Sequence, residues 1–115
     1  MAERIYHNPK CSTSRKVLDM IRASGTKPTI VEYVKTPPSK SEIKAALKEM
    51  GIKPRELLRR RGTPYDDLGL DDPKLTDAEL IAAMSEHPLL IERPVVHSRK
   101  GTRLCRPPER VKDIL

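Results

Sequence analysis

The sequence predicts an α/β domain built on a mixed sheet, in the order β-α-β then β-β-α, with a helical insertion over residues 39–87 between the second and third strands. Three observations carry this. Two short runs rich in β-branched and aromatic residues, at 4–6 and 29–34, bracket a segment with helical periodicity. Helix start and stop signals then dominate up to His87, and strand character returns around a hairpin signal near the C-terminal end.

Residues 4–6 read as a brief buried strand running into the turn-like "HNPK". Ser14, Val17, Leu18 and Ile21 share one helical face, and Gly25 suits a left-handed stop, so a helix follows the strand directly. "TIVEYV" at 29–34 reads as the second strand, and a crossover of this length favours parallel pairing with the first. "SKSEIKAALKEMG" opens on Ser39-x-x-Glu42 and closes on Gly51, a marked helix. "KPRELLRRRG" and "LTDAELIAAMSEH", the latter capped at Thr76, read as further helices with the turn-rich "GTPYDDLGLDDPK" between them. "LLI" at 89–91 and "PVVH" at 94–97 read as strand, "SRKGTR" as a hairpin turn, and "PPERVKDIL" as a last short helix.

A chain of 115 residues supports one modest core, hence a single domain over 1–115. No apolar run approaches the roughly 20 residues of a spanning helix. The opening "MAERIYHNPK" is too polar for a secretory signal, so neither membrane nor export is expected and the cytoplasm is the predicted location. A net charge of +7 attracts anions, but with no Phe, no Trp and three Tyr the chain lacks stacking platforms, which argues against nucleic acid. No Cys/His cluster has zinc spacing, so neither a metal nor a bound cofactor is expected.

The chemistry centres on Cys11. It stands where the first strand's loop meets the first helix, where free backbone N–H groups and the macrodipole favour a thiolate and offer a cradle for an oxyanion. The competing reading is a small buried hydrophobe; the junction, flanked by Lys10 and Arg15, favours the reactive one. His7 and Ser14 are the candidates to support the sulfur with a hydrogen bond or a positive charge. Ser14 stands where a Cys-x-x-Cys pair would place its second thiol, so Cys11 has no local resolving partner. A Cys-x5-Arg phosphatase loop is excluded, because that count from Cys11 reaches Val17.

The element order, with a reactive cysteine just after the first strand, resembles the thioredoxin-like arrangement. The blocks "YHNPKCSTSR", "RELLRRRGTPYDDLGL", "ERPVV" and "GTRLCRPPE", in this order, resemble the glutaredoxin-linked arsenate reductase family over about residues 5–115. The resemblance implies a cysteine that attacks arsenate, held by three arginines that correspond here to Arg59, Arg93 and Arg106. It implies a cis Pro94 beside the cysteine. It also implies glutathione as co-substrate and glutaredoxin as partner, so that external thiols resolve the adduct and Ser14 is free to hydrogen-bond the sulfur. Three guanidinium forks suit a tetrahedral anion and lower the pKa of a facing thiol. Cys105, one residue before Arg106, is expected on the opposite face as a structural residue. Longer arsenic-resistance members carry an additional tail, which points to the short, arsenate-reductase-like branch. The alternatives are a glutathione-dependent thiol-disulfide oxidoreductase and a non-enzymatic, transcription-regulator-like binding protein of the same fold.

Overall fold

The computed structural model describes residues 3–115, so the first two residues of the polar opening lie outside it. The chain forms two compact units, one from residues up to Thr36 together with Arg93–Leu115, the other from Pro37–Glu92. The insertion expected over 39–87 falls within the second unit.

The first unit is a four-stranded mixed sheet in the order β2-β1-β3-β4. Strand β1 (Arg4–Tyr6) pairs in parallel with β2 (Thr29–Val31) and antiparallel with β3 (Val95–Ser98), which pairs antiparallel with β4 (Gly101–Leu104). The parallel step is made by α1 (Ser12–Ala23), as the crossover length requires. Ile5 and Val96 project from one face of the sheet onto Val17, Leu18 and Ile21 of α1, with Cys105, Val111 and Ile114 completing the cluster. Alternation sends Tyr6 and His97 to the other face, where their rings meet edge to face at 5.1 Å. The C-terminal segment is a 3-10 helix, Pro108–Ile114, tied to the hairpin by the buried Ser98 hydroxyl, which donates to the Ile114 carbonyl.

The second unit contains α2 (Lys40–Met50), α3 (Pro54–Leu57) and α4 (Asp77–Glu86). Helices α2 and α4 both begin in reciprocal capping boxes, Ser39 with Glu42 and Thr76 with Glu79. Gly51 ends α2 at φ 67°, a left-handed conformation that glycine adopts without a Cβ penalty. Helix α4 packs against α2, α3 and a 3-10 turn at Pro88–Leu90.

Four elements differ from expectation. The strand expected over 29–34 stops at Val31, because the N–H groups of Lys35 and Thr36 both turn back to the Glu32 carbonyl. The helix expected through the arginine triplet is one turn long. Leu58 is extended and bridges Ile91, with Arg59 N–H donating to Leu90 and Glu92 N–H to Leu57. "LLI" is not a strand: Pro88 starts a 3-10 turn, and only Ile91 makes a bridge. The last helix is 3-10 rather than α. The Arg93–Pro94 peptide is cis, and so is Arg106–Pro107, which nothing in the sequence singled out.

Ile21 has no solvent exposure and ties α1 to the sheet. Ile21→Ala should therefore cost about 2–5 kcal/mol, read as a lower urea midpoint at unchanged m-value.

Candidate functional site

The loop from β1 to α1 is organised by Asn8. Its side-chain oxygen accepts from Lys10 N–H at 3.0 Å, and its carbonyl accepts from Cys11 N–H at 3.0 Å. Cys11 thereby takes the extended N-cap position of α1, and its own carbonyl accepts the first helical bond, from Arg15 N–H. No side-chain cap bond closes this helix and no acidic residue lies in its first turn. Its first N–H groups therefore remain to serve the sulfur.

Cys11 is partly exposed. Burial pushes its pKa up, but the Ser14 N–H, the Arg106 and Arg93 guanidinium groups and the Thr13 N–H together outweigh it and hold the thiol below its ordinary range. Arg106 Nη1 lies 3.8 Å from the sulfur and also donates to the Arg93 carbonyl at 3.0 Å. The two arginines are brought side by side just before β3 begins and just after β4 ends, with Cys105 N–H donating to the Pro94 carbonyl at 2.9 Å. Cys105 itself points into the core, where burial pushes its pKa up to about 12. It has the character of an inert thiol.

The fully buried Ser14 hydroxyl lies 2.7 Å from His7 Nδ1 and accepts from Asn8 N–H at 3.1 Å. Burial lowers the pKa of His7; Glu32 opposes this, and Arg22 and Arg15 act in the same direction as burial. The Ser14 hydroxyl is engaged by His7 Nδ1 and Asn8 N–H, and the group of Ser14 that favours the Cys11 thiolate is its backbone N–H. Asn8, read from sequence only as part of a turn, is the contributor that sequence reasoning missed, while the N–H groups of Thr13 and Ser14 fall within the free helix-start donors it expected. The Asn-Pro step in "HNPK" was the available signal for Asn8.

Arg59 belongs to the second unit. There its Nη1 pairs with Glu92 at 2.8 Å and its Nε donates to the Arg61 carbonyl at 3.1 Å. Among the described residues no group of three or more His, Cys, Asp or Glu side chains is arranged to hold a metal ion, and no helix is long and apolar enough to cross a membrane.

The ArsC family model matches residues 6–114. The chain belongs to the ArsC family. It is 54% identical over 115 residues to an arsenate reductase of Rhizobium meliloti (strain 1021), covering all of this chain and 82% of that protein. It is also 54% identical over 111 residues to an arsenate reductase of Escherichia coli (strain K12), covering 96% of this chain and 79% of the relative. A solved arsenate reductase from Vibrio cholerae superposes with a TM-score of 0.95 at 43% identity, covering 100% of this chain and 98% of that one. The mixed sheet with its helical segments is the thioredoxin-like fold of this ArsC family.

In the native protein Cys11 should alkylate with iodoacetamide along a pH curve whose midpoint lies below the ordinary thiol value of about 8.5. Arg106→Ala should move that midpoint upward, because it removes one of the groups that favour the thiolate. Cys105 should stay unlabelled until denaturant is added, so mass spectrometry should count one alkylated thiol before unfolding and two after it.

Proposed function

We propose that this ArsC-family chain is an arsenate reductase in which the Cys11 thiolate is the nucleophile, with glutathione and glutaredoxin supplying the reducing thiols. The observation that supports it best is the sulfur itself, faced by the Ser14 and Thr13 N–H groups and by Arg106 and Arg93. Arsenate at neutral pH carries between one and two negative charges. Fixed donors of this kind hold such an anion and offset the repulsion between it and an attacking thiolate.

In the proposed sequence the Cys11 sulfur attacks arsenic and one arsenate oxygen leaves as water, giving a cysteine-arsenate adduct. Glutathione attacks the adduct, and glutaredoxin resolves the mixed species. Across the cycle two external thiols give up two electrons and become a disulfide, while arsenic passes from the +5 to the +3 state and leaves as arsenite. Arg106 and Arg93 hold the oxyanion, and Arg59 is assigned as the third ligand by its place in the "ELLR" block. His7 and Ser14 support the loop around the sulfur, and cis Pro94 positions the Arg93 end of β3. The cytoplasm, where glutathione is kept reduced, is the proposed setting.

The test is arsenate-dependent NADPH oxidation coupled through glutathione reductase, glutathione and glutaredoxin. Cys11→Ser should abolish turnover. Arg106→Ala or Arg93→Ala should lower kcat/KM about 10- to 100-fold, the size of one charge-assisted hydrogen bond. Wild-type protein that reduces an organic disulfide but leaves arsenate untouched would overturn the assignment in favour of thiol-disulfide exchange.

A further inference from the structure

The arginine triplet at 59–61 divides into three different environments. Arg60 makes an exposed ion pair with Asp66 at 2.6 Å and lies over the Tyr65 ring at 5.0 Å. Arg61 is exposed, and its carbonyl serves as an acceptor for Arg59. Arg59 is partly buried and held at every level. Its N–H donates to Leu90, its carbonyl accepts from the Thr63 hydroxyl, its Nε is fixed by Arg61 and its Nη1 by Glu92.

The Arg59 and Glu92 side chains retain 21% and 20% exposure, so the pair is shielded more than a surface ion pair and yet open on one side. An arginine has five N–H donors in a planar fork. The bonds at Nε and Nη1 use two of them, and among the described residues both N–H groups of Nη2 and the second of Nη1 have no protein acceptor. The nitrogen left wholly unengaged is Nη2, whose two N–H groups can donate to the oxygens of a tetrahedral anion. The clip that aligns the pair is backbone: the bridge of Leu58 with Ile91, flanked by Arg59 to Leu90 and Glu92 to Leu57.

We propose that Glu92 is a positioning residue for oxyanion binding, holding one nitrogen of Arg59 so that the free Nη2 of its guanidinium is presented to arsenate. The proposal rests on the reading of Arg59 as an arsenate ligand. A free arginine side chain must be ordered when its ligand arrives, and that ordering opposes binding; Glu92 orders it beforehand. The carboxylate also offsets part of the positive charge of Arg59, so the acceptor oxygen and the charge have opposite effects on an incoming anion. Substitutions that separate the two discriminate between positioning and simple electrostatics.

Steady-state kinetics with arsenate in the coupled assay test this. Glu92→Ala and Glu92→Asp, whose carboxylate is one methylene short, should each raise KM about fivefold or more with kcat within about twofold. Glu92→Gln, which keeps an acceptor oxygen at the same reach, should restore KM to the wild-type value or below. Arg59→Ala should raise KM, and adding Glu92→Ala to it should raise KM no further. An unchanged Cys11 alkylation midpoint and thermal midpoint in the Gln and Asp variants would show that the fold is intact. The proposal is overturned if Glu92→Ala leaves KM unchanged or lowers it, if Asp matches wild type while Gln does not, or if the two alanine effects add. Wild-type protein without arsenate turnover would sink the functional reading and this proposal together, whereas normal wild-type turnover with silent Glu92 variants would sink this proposal alone.

Discussion

The sulfur at the partly covered start of α1, with its pKa lowered, is the constraint on which the site depends. Taking a thiolate out of water is unfavourable, and the fold offsets this with the Ser14 and Thr13 N–H groups and with Arg106 and Arg93. The contrast among the helices makes the point. Helices α2 and α4 satisfy their N-termini with Ser or Thr and a Glu, and both carry acidic residues in the first turn. Helix α1 has neither device. A capping hydroxyl or a first-turn carboxylate there would occupy the N–H groups of Thr13 and Ser14 or repel the sulfur. The helix end that is poorly capped in the ordinary sense is the one that carries the reactive group, and the thiolate completes it.

The opposite treatment of the two cysteines follows from strand geometry. Cys105 and Arg106 are neighbours just beyond β4, and adjacent side chains of an extended segment point to opposite faces. One goes to the cluster of Val17, Ile21 and Val111, where burial keeps it a neutral thiol; the other reaches Cys11. A shift of one residue in this segment would place a cation in the core and a thiol beside the nucleophile. The register of β4 on β3, Val95 opposite Leu104 and Val96 opposite Arg103, therefore sets the electrostatics of the sulfur as well as the packing of the sheet.

Local signals were legible wherever a local rule decides the outcome. The capping boxes, Gly51 and the β1-loop-α1 junction follow from near-neighbour chemistry and stand where the sequence places them, while the hairpin turn expected over 98–103 is tighter, with Gly101 already in β4. What was not legible depends on partners distant in the chain. Arg59 to Arg61 carry helix-compatible side chains, yet Leu58 is drawn into an extended conformation by its bridge to Ile91, and Arg59 N–H donates to Leu90. "LLI" is apolar enough for a strand, but Pro88 and the His87 carbonyl close a turn first. At the site, the candidates Cys11, Arg93 and Arg106 are brought together by the fold. Asn8 was missed because its part is to satisfy backbone groups, which no spacing rule records.

The site also separates the charges that titrate from those that do not. His7 lies near Cys11 in the chain and would be the natural source of a positive charge, but burial keeps its pKa low and its Nδ1 faces Ser14 rather than the sulfur. The cations that face the sulfur are guanidinium groups, which stay charged throughout the range in which proteins work. The positive side of the site is thus constant with pH. Any pH response near neutrality has to come from the nucleophile or from the protonation of arsenate itself, and the two oppose each other, since raising pH favours the thiolate while adding negative charge to the anion it must approach. A lowered thiol pKa eases this conflict, because it makes the thiolate available at a lower pH. The bare helix end and Arg106 and Arg93 all act in the direction of a lower thiol pKa.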